Sequence, residues 1–147
     1  MGRFVSGIGI RILIVLVVAG GAFVLRDRLS GNAGDLKAGD CFDDVIAETI
    51  EDVQHHPCSE AHTAEVVRVE NYPAGNGAPY PADDFASYDD TCTAAGLNYL
   101  GGNADPDVIF TFYAPLESGW AKGDRQMICY VTTQSQTKLT KSLKATQ

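Results

Sequence analysis

Three histidines and a cysteine that lie close together in the sequence are the residues best suited to chemistry. The cluster consists of His55, His56, Cys58 and His62. Imidazole and thiolate both bind zinc, but a zinc site needs about four convergent ligands and a reduced thiolate. The sequence context predicts an oxidised Cys58, so structural or surface histidines are favoured. We therefore predict no metal and no cofactor.

His62 and Glu65 could serve as the acid and base of a hydrolase. They lie three positions apart, and in a regular strand such residues face opposite sides of the sheet. The sequence contains no G-x-S-x-G, H-E-x-x-H or C-x-x-C pattern that would supply a nucleophile or a metal-bound water. We therefore assign no catalytic residue.

Trp120 and Arg125 complete the set of candidate residues. Trp120 is the only tryptophan of the chain, and it fits a core anchor better than an exposed binding residue. Arg125 follows Asp124, with which it could form a buried ion pair at the entry to a strand. Trp120, Arg125, His62 and Glu65 are the predicted candidates for interaction with a partner.

The four cysteines indicate the compartment of the domain. They are Cys41, Cys58, Cys92 and Cys129, and all lie on the C-terminal side of an apolar segment. An even set of cysteines is typical of disulfides, which persist in oxidising compartments. The sequence therefore predicts an extracytoplasmic domain, although spacing alone leaves three possible pairings open.

The apolar segment predicts a membrane anchor. Ile12 to Leu25 carry no charge, and the apolar character extends back to Phe4 with Arg11 as the one charged interruption. A bilayer core needs roughly 20 helical residues, which this segment supplies. A cleaved secretory signal is the alternative, because the uncharged stretch also has the length of a signal peptide. We favour a retained single-pass anchor in the cell membrane, with the C-terminal domain outside.

Three parts follow from this division of the chain. Residues 1–28 form a cytoplasmic stub and transmembrane anchor, residues 29–34 a tether, and residues 35–147 the extracytoplasmic domain. The tether is predicted to be flexible because Ser30 to Gly34 is composed of Gly, Ser, Asn and Ala.

The charge of the domain limits its partners. Residues 29–147 carry 18 acidic and 7 basic side chains, a net charge of −11. Such a domain repels phosphate backbones, so nucleic acid is excluded as a partner. The predicted partners are the membrane and another envelope or membrane protein.

Hydrophobic patterning predicts five strands and one helix. The helix spans Ala82 to Leu100, where apolar residues recur at spacings of three and four. The strands carry β-branched or alternating residues. They span Asp40 to Val45, Val53 to His56, Ala64 to Tyr72, Val108 to Tyr113 and Gln126 to Thr132.

This periodicity also suggests a disulfide pairing. Cys92 lies on the apolar helix face and Cys129 on the apolar face of the last strand, so the two can meet if the helix packs on that strand. Cys41 and Cys58 would then join the first two strands. The predicted fold class is α+β: a transmembrane helix followed by a small, mainly antiparallel sheet with one packed helix and two disulfides.

Several short motifs follow one another in a distinctive order. They are Gly39-Asp40-Cys41-Phe42, Pro57-Cys58-Ser59-Glu60 with His62 and Glu65-Val66, then Cys92, Trp120, Gly123-Asp124-Arg125, Cys129 and Leu139-Thr140 before Ser142. This series resembles the actinobacterial septum formation family of envelope domains. The resemblance covers roughly residues 35–144, with two departures, at Ala61, where the family usually has proline, and at Lys141, where it usually has glycine.

The resemblance implies an extracytoplasmic, membrane-tethered or lipid-anchored domain associated with septum formation, and it implies no catalytic residues. The predicted function is therefore a non-enzymatic envelope protein whose disulfide-bonded domain binds a protein partner. One alternative is an accessory subunit of a larger membrane complex. Another is a cell-wall hydrolase or metal-dependent enzyme that uses His62 and Glu65.

Overall fold

The computed structural model describes residues 30–44 and 52–146 of the 147-residue chain. Within these ranges the chain forms strands, two short 3-10 helices and two α-helices. The strands are β1 (Ser30–Asn32), β2 (Cys41–Asp43), β3 (Asp52–His56), β4 (Ala64–Asn71), β5 (Val108–Tyr113) and β6 (Gln126–Thr133). The α-helices are α1 (Asp89–Tyr99) and α2 (Glu117–Trp120), and the 3-10 helices are Ala33–Asp35 and Ala82–Tyr88.

The strands form one antiparallel sheet in the order β1-β3-β2-β4-β6-β5. The five strands predicted from the sequence are present, and β5 has the predicted bounds. The sheet is curled: the ring of Phe42 on β2 lies 6.0 Å from that of Tyr113 on β5. Three flat strand spacings would separate β2 and β5 by roughly 14 Å.

Each face of the sheet carries its own buried core. The helix-side core lies between the sheet and α1 and includes Cys92, Trp120, Met127, Cys129 and Val131. The second core lies on the opposite face inside the curl and includes the side chains of Leu36, Phe42, Val53, Val66 and Tyr130. Successive side chains of β6 point alternately into the two cores, so the strand is buried along almost its whole length.

The predicted helix Ala82–Leu100 is only partly correct. Its first seven residues, Ala82–Tyr88, form a 3-10 helix, and α1 begins at Asp89. Phe85 and Tyr88 are both buried, and their spacing of three places them on one face of a helix with three residues per turn. The helix ends at Tyr99, close to the predicted end, and is followed by Gly101 and Gly102, whose φ angles of 77° and 92° suit glycine.

Both disulfides have the predicted pairing. Cys41 is bonded to Cys58, and Cys92 on α1 is bonded to Cys129 on β6. Cys92 and Cys129 are fully buried. The second bond therefore fixes the helix on the sheet from inside the helix-side core.

The predicted tether is wrong for Ser30 to Gly34. Ser30–Asn32 is the edge strand β1, which pairs with β3, and a 3-10 helix follows at once. Asn32 accepts a hydrogen bond from the backbone N–H of Gly34 at 2.8 Å, while Ala33 and Leu36 are buried in the second core. Composition alone missed these two apolar side chains, which hold the segment on the sheet.

The predicted anchor, Phe4 to Leu25, lies outside the described residues. Among residues 30–44 and 52–146, no helix is both long and apolar enough to cross a membrane.

Candidate functional site

Glu65 on β4 is fully buried and lies beside Cys41 on the neighbouring strand. Its Oε1 accepts a hydrogen bond from the backbone N–H of Leu143 at 2.7 Å. Its Oε2 accepts from the hydroxyls of Tyr99 at 3.1 Å and Ser142 at 3.0 Å. One carboxylate thus joins β4, helix α1 and residues 138–146, here called the C-terminal segment.

His62 is also fully buried and contacts Glu65, with 3.4 Å between Nε2 and Oε1. The prediction that these two side chains face opposite sides is wrong, because His62 lies before β4 begins at Ala64. It forms instead an isolated bridge with Leu139, with backbone hydrogen bonds of 3.0 and 2.8 Å. The bridge turns the imidazole toward the carboxylate.

The hydrogen bond of His62 Nδ1 fixes the orientation of the imidazole ring. Nδ1 is 2.8 Å from the backbone carbonyl of Glu60, which can only accept, so Nδ1 donates. Nε2 is therefore the ring nitrogen turned toward Glu65, 3.4 Å from Oε1.

Cys41, His62 and Glu65 bring one ligand atom each to within 4.8 Å of one another. The Cys41 sulfur is bonded to Cys58, so it is no thiolate in this oxidised state. Of the histidine cluster considered from the sequence, His62 alone belongs to this group. His55 and His56 lie on β3, on the far side of β2.

His56 belongs to a different polar group at the surface. Its Nε2 lies 3.0 Å from Asp43 Oδ2, and Lys138 Nζ lies 2.6 Å from Asp43 Oδ1. Burial alone would raise the pKa of Asp43, but hydrogen bonds from Lys138 and His56 outweigh it, so the pKa is lowered. This group ties the start of the C-terminal segment to β2.

Trp120 is a core residue, as the sequence predicts, with 4% of its surface exposed. Its Nε1 donates to the carbonyl of Ala78 at 2.7 Å. Its ring packs edge-on against neighbouring aromatic rings, including those of Tyr72, Tyr80 and Phe85. Trp120 thereby anchors α2 and the proline-rich loop before Ala82 on the helix-side core.

Arg125 is buried against Trp120, with its Cζ 3.6 Å from the centre of the indole ring. Its Nη1 donates to the backbone carbonyls of Trp120 at 2.8 Å and Asp124 at 2.7 Å. The guanidinium of Arg125 therefore bonds to backbone carbonyls that precede β6, and not to the Asp124 carboxylate as predicted. The Asp124 carboxylate instead accepts from the backbone N–H of Gln126 at 2.9 Å.

The four candidate interaction residues therefore lie in the interior, in two separate groups. His62 and Glu65 form one, and Trp120 and Arg125 form the other. With at most 9% of any of these residues exposed, their side chains offer almost no surface to a partner in this conformation.

A third buried polar group was missed by sequence reasoning. The hydroxyls of Tyr113 and Tyr130 lie 2.6 and 3.3 Å from Asp44 Oδ1. Burial raises the pKa of both tyrosines, and the neighbouring Asp44 carboxylate adds to the effect. No short motif marks this group, because its members are separated by 17 to 86 positions along the chain and meet only when the sheet curls.

Ser135 and Lys138 have the S-x-x-K spacing of a serine nucleophile and a lysine base. The structure directs them apart. Ser135 donates to Asp107 and lies beside Thr137, whereas Lys138 contacts Asp43. The spacing therefore has no catalytic geometry behind it.

The model of the family described as Septum formation matches residues 38–147. The chain belongs to this family. Comparisons with curated proteins and with solved structures gave no match.

The Septum formation match includes both disulfides, both buried clusters and the C-terminal segment. It confirms the resemblance drawn from the motifs and gives the chain a coarse link to cell division. The two departures at Ala61 and Lys141 leave the fold intact. Ala61 is exposed and Lys141 is exposed, and the neighbouring His62–Leu139 bridge forms regardless.

Proposed function

We propose that this member of the Septum formation family is a membrane-anchored envelope protein whose extracytoplasmic domain binds a protein partner and catalyses no reaction. The observation that carries the proposal is that His62 and Glu65 are committed to contacts within the domain. Both are fully buried, and their polar atoms are engaged by the domain's own backbone and side chains. A substrate would have to break these contacts to reach either group.

The buried cluster of His62 and Glu65, here called the lock, is instead structural. It joins β4 to α1 through Tyr99 and to the C-terminal segment through Ser142 and Leu143. The Cys41–Cys58 bond closes the same region covalently. Such a domain presents a fixed surface, which suits recognition of another macromolecule.

The two disulfides support the compartment of the proposal. Removing a native disulfide from a small secreted domain typically costs about 2–5 kcal/mol, a large share of the stability of such a domain. A fold held by Cys41–Cys58 and Cys92–Cys129 is suited to an oxidising compartment. The apolar segment Phe4 to Leu25 would hold it at the outer membrane surface.

Site-specific photo-crosslinking in intact cells tests the proposal. A photoreactive residue is placed in the full chain at Ile109 on β5, at Leu116 before α2, or at Thr93 on α1, all exposed positions. We expect one envelope protein to be captured from one of these surfaces and not from the others. The full chain without a photoreactive residue, irradiated in the same way, controls for nonspecific capture. The proposal fails if no position captures a protein beyond that control.

Exchange of the anchor distinguishes the accessory-subunit alternative. If residues 1–29 are replaced by an unrelated single-pass anchor, a partner that contacts the domain is still captured. A partner held by helix packing in the bilayer is lost.

The hydrolase alternative is tested with Glu65→Gln, which keeps the shape of the side chain but removes its charge. Since an acid–base mechanism needs the carboxylate, complete loss of cellular function in a folded Glu65→Gln protein that still captures its partner would refute a purely binding role.

A further inference from the structure

The sulfur of Cys41, which is bonded to Cys58, lies where a metal ligand could lie. Sulfur, imidazole and carboxylate from Cys41, His62 and Glu65 converge within 4.8 Å. In a tetrahedral zinc site, bond lengths of roughly 2.0–2.3 Å place neighbouring ligand atoms roughly 3.3–3.8 Å apart. A contraction of about 1 Å would therefore suffice to bring the three atoms around one ion.

His62 is oriented as a metal-binding histidine is. Its Nδ1–H donates to the carbonyl of Glu60, which fixes the ring and leaves Nε2 turned toward Glu65. Outer hydrogen bonds of this kind characterise histidines that bind metals through the opposite nitrogen. Glu65 is likewise held through its second oxygen by Tyr99 and Ser142. A cation could thus bind between Nε2 and Oε1, which lie 3.4 Å apart.

Access to this cluster runs through Cys58. Cys41 is 2% exposed, whereas Cys58 is partly exposed and lines a surface pocket of about 160 Å³ together with Gly39, His55 and Pro57. The other disulfide has no such opening, because Cys92 and Cys129 are both fully buried. A dissolved or protein-borne dithiol therefore reaches the Cys41–Cys58 bond first.

We propose that reduction of the Cys41–Cys58 disulfide opens a site for one zinc-class divalent cation, bound by Cys41, Cys58, His62 and Glu65. An external dithiol supplies two electrons and two protons, is itself oxidised to a disulfide, and leaves two protein thiols. Binding of the cation then releases both thiol protons and places the cation between His62 Nε2 and the Glu65 carboxylate. This inference goes beyond partner binding and does not depend on it.

Cys58 is the proposed fourth ligand: its sulfur is bonded to that of Cys41 in the oxidised protein, and once the bond is reduced its side chain has to rotate toward His62 and Glu65, with which only the Cys41 sulfur already converges. It follows Pro57 in a turn, and in the oxidised protein its sulfur lies 3.6 Å from the carbonyl of Gly39. Two thiolates, one imidazole and one carboxylate form a donor set that zinc accepts in tetrahedral geometry.

The test uses the full chain in detergent and Co²⁺ as a spectroscopic probe for zinc. The protein is treated with a dithiol under native conditions, and alkylation followed by mass spectrometry identifies the free thiols. We expect Cys41 and Cys58 to be released while Cys92 and Cys129 remain bonded. The opposite order would overturn the inference, because it would contradict the access route.

Addition of Co²⁺ to this reduced protein should give one bound ion per chain, with the intense visible bands of tetrahedral, thiolate-bound cobalt. Zn²⁺ should displace it, and the oxidised protein should bind none at this site. His62→Ala should weaken binding by at least about tenfold. His56→Ala is the matched control, because that ring contacts Asp43 instead, and its binding should be unchanged.

Two outcomes would refute the four-ligand site. One is the absence of stoichiometric binding to the reduced protein, and the other is binding that is equally tight in His62→Ala. If His62→Ala does not fold, X-ray absorption of the zinc-loaded wild-type protein decides the matter. It should show two sulfur and two nitrogen or oxygen neighbours, and an all-sulfur or all-oxygen environment would reject the proposed ligands.

Discussion

Replacement of Glu65 by alanine is the sharpest test of the buried lock. The substitution deprives the Leu143 amide, the Tyr99 hydroxyl and the Ser142 hydroxyl of their acceptor and leaves His62 without its partner. Hydrogen bonds to a charged group contribute roughly 1.5–3 kcal/mol each, and loss of one member of a buried pair costs about 3–5 kcal/mol. These contributions overlap, and Ser142 is exposed enough to bond to water instead.

We therefore expect Glu65→Ala to lower the free energy of unfolding by about 3–5 kcal/mol, a large part of the 5–15 kcal/mol typical of a domain. Glu65→Gln keeps the volume and one acceptor oxygen, so its loss should be smaller, about 1–3 kcal/mol. Glu70→Gln is the matched control, because Glu70 lies on the same strand but is partly exposed and bonded to Arg68 and Tyr88. Its loss should be about 1 kcal/mol or less.

Equilibrium unfolding in denaturant measures these differences, with fluorescence of the buried Trp120 as the signal. Hydrogen exchange then localises them, because the Leu143 amide should lose its protection in Glu65→Ala before the amides of β6 do. If Glu65→Ala were no more destabilising than Glu70→Gln, the carboxylate would not hold the C-terminal segment, and the lock would have to be abandoned.

Three further predictions concern the packing of helix α1, of Trp120 and of Tyr99. Gly96→Ala places a methyl group against the ring of Phe110, so overpacking of about 1–3 kcal/mol should exceed the helix gain of roughly 1 kcal/mol. Combination with Phe110→Leu should recover stability in denaturant unfolding, and a stabilised single variant would contradict the close approach of Gly96 to Phe110. Arg125→Lys loses the planar contact with Trp120 and should cost roughly 1–2 kcal/mol by the same assay, whereas an unchanged midpoint would show that charge alone suffices. Burial and the neighbouring Glu65 raise the pKa of Tyr99 from 10.0 to about 12, so the stability that the neutral phenol contributes below pH 10 should be lost as the pH rises toward 12. In unfolding experiments across this range the free energy of unfolding of Tyr99→Phe should fall less steeply with pH, and an identical slope would refute the role of Tyr99.

Local patterning sufficed for most of the sheet and for the disulfides. The alternation along β6 and the three-and-four spacing of α1 each place one cysteine on a buried face, and this suggests the pairing that the structure shows. Both signals are contained in fewer than a dozen consecutive residues. They survive in the fold because packing of α1 on the sheet buries the same faces that the sequence marks as apolar.

The meeting of His62 and Glu65 could not be predicted in the same way. Side-chain direction in a strand reverses with each residue, so the outcome depends on whether β4 begins before or after His62. A bridge to Leu139, far along the chain, decides this by holding His62 outside the regular strand. The edge strand β1 was missed for a related reason, since Ser, Gly and Asn are poor strand formers and the pairing with β3 overrides their propensity.

The C-terminal segment shows how a chain without regular secondary structure is given one conformation. Leu139 pairs with His62, Ser142 and Leu143 bond to Glu65, and the Ala145 amide donates to the carbonyl of Tyr99 at 2.9 Å. Apolar packing alone would permit several registers of such a segment, whereas directional bonds to a buried carboxylate permit one. The same carboxylate is a proposed ligand in the reduced protein. Reduction of Cys41–Cys58 and loading with a cation would therefore draw Glu65 Oε1 away from the Leu143 amide, and the covalent state of one disulfide would be transmitted to the end of the chain.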